Sequence, residues 1–114
     1  MTPEITQQIV TEEQVHNAVD YLNHHAVEFG EAKATRIKAE YMLKHIKAVA
    51  MKQFDGSVSG QEREALASKS YVDAVEEIFN ATVKEEHIKA KKETAGMIVE
   101  LWRTQSANLR GTRL

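Results

Sequence analysis

A row of mostly apolar residues recurs at intervals of three and four along residues 11–54. This is the spacing of one face of an α-helix, and we call the row the first stripe. This first stripe consists of Val15, Val19, Leu22, Ala26, Phe29, Ala32, Thr35, Ala39, Met42, Ile46 and Val49. The segment contains no proline and one glycine, Gly30, and is rich in residues that favour helix. The pattern therefore predicts one helix over residues 11–54, about 65 Å long.

The first stripe changes phase between Phe29 and Thr35, where two successive steps of three replace the alternation. Such a shift locally overwinds the row of contacts between packed helices. Gly30 lies within the shifted segment, so we expect a bend in the helix there. At the start of the helix, the sequence Thr11-Glu12-Glu13-Gln14 matches a capping box. We therefore place the first turn of the helix at this point.

Three further segments complete the chain. Residues 54–60 hold two glycines, two serines and an aspartate, which marks a chain reversal. The sequence Ser59-Gly60-Gln61-Glu62 matches a second capping box and predicts a short helix over residues 60–68. Ser70 offers another cap, and we predict a last helix over residues 71–108, ended by Gly111 within a basic tail at 109–114.

The last helix carries a seam of its own, in which Glu85 and Lys92 are polar. Its apolar members are Tyr71, Ala74, Ile78, Ala81, Ile88, Ala95, Val99 and Trp102. Two long helices with matching seams predict an all-α fold, a long antiparallel helical hairpin that resembles a coiled coil, with the short helix at its turn. We expect a single domain over residues 1–114, with residues 1–10 as a lead segment.

The charges are sorted along the chain in a way that favours antiparallel pairing. Residues 1–32 hold six acids and no base, and residues 33–52 hold six bases and one acid. Residues 53–86 hold eight acids and three bases, and residues 87–114 hold six bases and two acids. An antiparallel hairpin places unlike blocks side by side, whereas a parallel pair would place like charges together.

Both long helices also carry a second stripe, which one partner helix cannot cover. Its members are Val27, Ala34, Ile37, Tyr41, Ala48 and Met51 in the first helix and Phe79, Val83, Ala90, Met97 and Leu101 in the last. Either the short helix or another subunit must cover these residues. We favour a homodimer that forms a four-helix arrangement.

Composition excludes several classes of protein. The chain has no cysteine, which rules out disulfides and thiolate metal sites. Its formal net charge of −2 argues against a generally basic nucleic-acid coat. No apolar run reaches the roughly 18 residues of a membrane span, and the first residues lack the pattern of a signal peptide. We expect a soluble protein of the cytoplasm that does not enter a membrane.

The sequence carries no recognisable catalytic, cofactor or metal pattern. His24 and His25 are adjacent and point about 100° apart on a helix, so they cannot both face one ion. The glycines Gly56 and Gly60 lack the lysine and the preceding strand of a phosphate-binding loop. The paired glutamates are expected on exposed helix rather than in a cleft. We therefore expect a protein that is not an enzyme and needs no cofactor.

The C-terminal segment from Trp102 to Leu114 is the strongest candidate for a binding site. It holds the only tryptophan and three arginines, Arg103, Arg110 and Arg113, and no acid follows Glu100. Arginine beside an aromatic ring suits phosphate contact and base stacking. Lys89, Lys91 and Lys92 would extend this basic segment. Alternatively, Trp102 closes the core while the arginines complement the acidic start of the first helix, or the segment binds a protein.

The segments Lys33–Lys52, Gln61–Glu64 and Trp102–Arg110 resemble a group of small helical proteins of tailed bacteriophages and prophages. The resemblance covers most of residues 20–110. Genes for such proteins often lie near recombination and replication genes, which implies a context of DNA metabolism in the bacterial host cytoplasm. It assigns no functional residue.

Three hypotheses of function follow, of which the least specific is a purely structural or scaffold oligomer. In the first, the chain is a non-enzymatic accessory protein of phage DNA recombination or replication. It would bind single-stranded or double-stranded DNA, or a DNA-bound protein, through the basic C-terminal segment. In the second, it is an anti-defence or host-takeover protein that binds and inhibits a bacterial protein complex.

Overall fold

The computed structural model describes residues 9–112, which form three α-helices. They are α1 (Glu12–Met51), α2 (Val58–Leu66) and α3 (Lys69–Thr112). The described residues include no strand. The expected all-α class, with two long helices that pack against each other and one short helix, is therefore confirmed. Over the same residues, none of the three helices combines the length and the apolar character needed to span a bilayer.

The capping box predicted at the start of α1 is present. The backbone N–H of Gln14 donates to the Thr11 hydroxyl at 3.1 Å, and the Thr11 N–H donates to Gln14 Oε1 at 2.9 Å. Glu12 and Glu13 occupy the first turn, where their charge suits the helix dipole. The helix then continues unbroken through Gly30 and ends at Met51, three residues before the expected end. There the N–H groups of Gln53 and Phe54 bond to carbonyls three residues back, which tightens the last turn.

The start of α2 differs from the prediction, because its cap is Ser57 rather than Ser59. The Gly60 N–H donates to the Ser57 hydroxyl at 3.1 Å, and Ser57 has the extended backbone of a cap residue. Gly56 has a φ of 110°, a conformation that costs glycine little, and it completes the chain reversal directly before the cap. The helix therefore begins two residues earlier than expected and also ends earlier, at Leu66.

Both ends of α3 also extend beyond the prediction. The helix begins at Lys69, and the Tyr71 N–H donates to the Ser68 hydroxyl at 3.4 Å, so Ser68 rather than Ser70 lies at the cap. At the other end it continues through Gly111 to Thr112, so residues 109–112 are helical instead of forming a tail. Gly111 has no positive φ, and glycine inside a helix costs only about 1 kcal/mol.

The chain divides into two compact units. We call residues 29–88 the turn unit, and residues 9–28 with 89–112 the described part of the terminal unit. The boundary in α1, between Glu28 and Phe29, coincides with the start of the predicted phase shift.

In the turn unit, the two long helices run antiparallel and approach through small side chains. Ala50 near the end of α1 and Ser70 near the start of α3 line the same groove, while Arg36 contacts Glu85 farther along both helices. The buried apolar side chains are Ala32, Ala50, Ala65, Ala74 and Ile88. Ala65 of α2 has no exposed surface. Small residues of this kind allow helix backbones to pack closely.

Two ion pairs of the turn unit join the charge blocks that the sequence predicts to be neighbours. Lys47 Nζ lies 2.7 Å from Glu62 Oε1, which links α1 to α2. Arg36 donates through Nε and Nη2 to the carboxylate of Glu85, and through Nη1 to Glu40 at 3.0 Å. The hydrogen bond to Glu85 raises the pKa of Arg36 above its ordinary value, so the guanidinium stays charged.

Glu85 is the buried charge of the turn unit, with only 6% of its surface exposed. It occupies a seam position that the sequence marks as polar, between Ala81 and Ile88. A carboxylate at such a depth requires a partner, and Arg36 supplies two hydrogen bonds to it. The pair therefore favours the one alignment of α1 and α3 that brings Arg36 opposite Glu85.

In the terminal unit, the side-chain amide of Gln105 holds the segment that precedes α1. Its Oε1 accepts from the N–H of Ile9 at 2.8 Å and of Val10 at 3.1 Å, and its Nε2 donates to the Val10 carbonyl at 2.9 Å. Val10 is buried, together with Ala18 of α1 and Ala95 of α3. One side chain of α3 thus forms hydrogen bonds with three backbone groups that precede α1 and have no partner within a helix.

The second stripe is largely exposed on both long helices. Its exposed large members are Val27, Ile37, Tyr41, Phe79, Val83, Met97 and Leu101, and Tyr41 keeps 80% of its surface accessible. Among the described residues, no large side chain is fully buried. The long helices therefore pack chiefly through alanines and leave the large side chains of the second stripe uncovered.

Replacing Ser57 with alanine is expected to lower the free energy of unfolding by about 1 kcal/mol, because the Gly60 N–H loses its cap. Ser59→Ala is the matched control and should change stability little, because Ser59 lies inside α2. Urea denaturation followed by circular dichroism measures both. Equal losses from the two variants would contradict the assignment of Ser57 as the cap.

Replacing Gln105 with alanine should free the backbone of Ile9 and Val10. Each hydrogen bond is worth about 1 kcal/mol, so exchange of these amide hydrogens should accelerate by roughly fivefold. Hydrogen exchange resolved by NMR measures this effect, with Thr104→Ala as the exposed neighbouring control. Unchanged exchange at both amides would show that Gln105 does not hold this segment.

Replacing Glu85 with alanine should lower the midpoint of thermal unfolding clearly more than Glu86→Ala, its exposed neighbour on α3. The reason is that Arg36 loses its principal partner while the vacated seam position remains poorly packed. Differential scanning calorimetry compares the two variants. A similar midpoint for both would contradict a role of the Arg36–Glu85 pair in stability.

Candidate nucleic-acid interface

The C-terminal part of α3 gathers three of the residues predicted to bind nucleic acid. Trp102, Arg103 and Arg110 line one groove of about 470 Å³ together with Ser106 and Ala107. Trp102, Ser106 and Arg110 follow one another at intervals of four, and Arg103 and Ala107 form the neighbouring row. Residues four apart lie one turn above each other, so the helix itself sets this arrangement. We call this surface the Trp102 groove.

The two arginines of the Trp102 groove are available to an anion. Arg103 is exposed and pairs at 3.1 Å with Glu100 on the same helix, where both side chains are about 70% exposed. An exposed pair of this kind contributes little and exchanges readily with another partner. Arg110 is exposed too, and no acidic side chain within residues 9–111 lies in ion-pair range of it.

Trp102 is half-buried and contributes part of the groove wall. The sequence left open whether it closes the core while the arginines pair with the acidic start of α1. Over the described residues, neither Arg103 nor Arg110 forms an ion pair with Glu12, Glu13 or any other acid of α1. The groove therefore combines an accessible aromatic surface with two guanidinium groups that α1 does not neutralise.

The remaining predicted residues lie elsewhere. Lys89, Lys91 and Lys92 are exposed on α3, and Lys92 already takes part in another interaction. They precede Trp102 by ten residues or more, roughly 15 Å along the helix axis, and do not line the groove. Arg113 lies outside the described residues. The three lysines can thus contribute to a long-range potential but do not share the contact surface.

Two histidines of α1, His24 and His25, form local pairs. His24 Nδ1 lies 3.1 Å from an Asp20 carboxylate oxygen, and His25 Nδ1 lies 3.0 Å from Glu28 Oε2. The ring of His25 also stacks on Tyr21, with 4.9 Å between the centroids. Within residues 9–111, no three potential metal-ligating side chains are grouped closely enough to hold an ion.

The sequence did not single out Ser106 and Ala107 as members of the groove, nor Gln105 as the residue that holds the segment before α1. Ser106 and Ala107 could have been found, because they lie four residues after Trp102 and Arg103. Gln105, which holds Ile9 and Val10, lies on the same turn but carries no comparable signal. Its partners are distant in sequence, so only the folded chain identifies them.

Comparison with known proteins does not identify a family for this chain. The chain matches no family model, no curated protein and no solved structure.

Proposed function

We propose that this protein binds DNA through the Trp102 groove and acts as a non-enzymatic accessory protein of phage DNA recombination or replication. The observation that carries the proposal is the meeting of Trp102, Arg103 and Arg110 in one groove. The assignment to a phage process comes from the resemblance to small phage proteins. The choice of DNA as the ligand comes from the residues of the groove.

The chemistry of the groove suits a nucleotide unit. A guanidinium donates paired hydrogen bonds that match the geometry of phosphate oxygens. The accessible part of the Trp102 ring can stack on a base, an interaction that tolerates any sequence. Ser106 lies between these groups and offers a hydroxyl donor. Since an unpaired base presents its face, single-stranded DNA is the form that the groove fits best.

The charge around the groove also favours this ligand. Lys89 and Lys91 are exposed on the same helix and add positive potential at longer range. Acids in this part of α3 are Glu93 and Glu100, and Glu100 is engaged by Arg103. Binding would therefore be driven largely by electrostatics and would weaken with salt.

We further propose that the protein works as a homodimer in a four-helix arrangement. The large apolar side chains of the second stripe that stay exposed on both long helices support this proposal. A dimer would present two Trp102 grooves, and engagement of one strand by both would raise the affinity.

Replacing Arg103 and Arg110 together with alanine should weaken binding of a labelled single-stranded oligonucleotide. It should also lower the slope of log Kd against log salt by about 1.4, since each phosphate contact on a single strand contributes about 0.7. Fluorescence anisotropy at several salt concentrations measures both. Quenching of Trp102, the only tryptophan, should accompany binding to the wild-type chain.

The matched control replaces Lys52 and Lys84, exposed bases of the turn unit, with alanine and removes the same charge elsewhere. An equal loss in the control would show that net charge rather than the groove determines binding. Absence of binding to both single- and double-stranded DNA at low salt would overturn the proposal. Stoichiometric capture of a bacterial protein complex would then support the inhibitor hypothesis.

A further inference from the structure

The two guanidinium groups of the Trp102 groove differ in what already binds them. Arg103 Nη1 donates to Glu100 Oε1 at 3.1 Å, whereas Arg110 forms no ion pair with an acid among residues 9–111. Glu100 precedes Arg103 by three residues, so the two side chains are neighbours on one face of α3. The groove therefore holds one arginine that a carboxylate already engages and one that is free.

Glu100 borders the Trp102 groove without lining it. Arg103 and Ala107, which do line the groove, follow Glu100 at intervals of three and four, so the three residues form one row along the helix. The row begins with the carboxylate and continues into the groove wall. An anion bound at Arg103 would lie close to Glu100, because the same guanidinium would reach both groups.

The ion pair between Arg103 and Glu100 opens readily. The two side chains are 71% and 69% exposed, and water replaces such a contact at little cost. A phosphate can accept paired hydrogen bonds from a guanidinium, whereas one hydrogen bond joins Arg103 to Glu100. A strand phosphate can therefore displace the carboxylate, but the displaced Glu100 keeps its negative charge beside that phosphate.

We propose that Glu100 sets the affinity of the Trp102 groove by competing with DNA phosphate for Arg103. In the free protein the carboxylate partly neutralises Arg103, and in the complex it repels the phosphate that Arg103 contacts. Arg110 has no such competitor, so it is the stronger phosphate contact of the two. This inference rests on the DNA binding proposed above and specifies what limits it.

A carboxylate beside an arginine can also strengthen binding, by orienting the guanidinium. That role requires a rigid pair, because only side chains locked by packing hold a partner in place. Both side chains of this pair are exposed, and a single hydrogen bond joins them. Repulsion of the phosphate needs no rigid geometry and is therefore the larger effect of Glu100.

Glu100→Gln tests the proposal, because it removes the negative charge and keeps the shape of the side chain. The affinity for a labelled poly-thymidine strand should rise by about threefold at low salt, the effect of one like charge at about 6 Å in water. The gain should shrink as added salt screens the repulsion. Fluorescence anisotropy measures the affinity, and circular dichroism verifies equal helicity.

The matched control is Glu93→Gln. Glu93 is exposed on α3, seven residues before Glu100, and does not line the Trp102 groove. Its replacement removes the same charge about 10 Å farther along the helix axis and should raise the affinity much less.

Combined variants separate competition for Arg103 from a general effect of charge. In a chain that also carries Arg103→Ala, Glu100→Gln should change the affinity no more than Glu93→Gln does. In a chain that carries Arg110→Ala instead, the gain from Glu100→Gln should persist, because Arg103 and its competitor are both still involved.

The outcomes distinguish this inference from the proposed function. If the wild-type chain binds the strand and Glu100→Gln leaves the affinity equal or lowers it, the inference is overturned and DNA binding stands. Equal gains from Glu93→Gln and Glu100→Gln, or a full gain without Arg103, would also overturn it, since overall charge would then explain the effect. If neither the wild-type chain nor Glu100→Gln binds the strand at low salt, the proposed function falls together with the inference.

Discussion

Close approach of the long helices through alanine is the constraint on which the rest of the structure depends. Ala32, Ala50, Ala65 and Ala74 are buried in the turn unit, and Ala18 and Ala95 in the terminal unit. Each buried methyl contributes only about 0.8 kcal/mol, against roughly 1.5–3 kcal/mol for a large aliphatic side chain. Alanines also pack almost equally well after one helix slides along the other, so they specify alignment poorly.

Polar contacts supply the alignment that the alanines do not. Arg36 and Glu85 fix the two long helices in one register, because any slip leaves the carboxylate buried without its partner. Lys47 and Glu62 position α2 against α1 in the same unit. Large apolar side chains of both stripes, such as Val49 and Tyr41, remain exposed beside the alanine seam.

The helices and one of their caps could be predicted from local patterns, and the other caps could not. Thr11 and Gln14 form a reciprocal pair within four residues, so the sequence alone identifies them. The sequence predicts Ser59 as the cap of α2, but the cap is Ser57, which directly follows the left-handed backbone of Gly56. The phase shift after Phe29 predicted a bend; α1 continues through it as one helix, and the boundary between the compact units falls at the same place.

Only those residues of the candidate site that lie within a few turns of one helix could be predicted from the sequence. Trp102, Arg103 and Arg110 are close enough in sequence for periodicity to place them together. Lys89, Lys91 and Lys92 were grouped with them by composition, but ten residues of helix separate them from the groove. The partners of Gln105 and Glu85 are distant in sequence, and a single sequence does not show which distant residues meet.

The hold of Gln105 on Ile9 and Val10 also orders events during synthesis of the chain. The turn unit is one continuous stretch, so its helices can pair as soon as residue 88 has left the ribosome. The segment before α1 leaves the ribosome ahead of the turn unit, yet its hydrogen-bonding partner, Gln105, follows that unit in the chain. The backbone groups of Ile9 and Val10 therefore depend on water until the turn unit and the helix beyond it have been made.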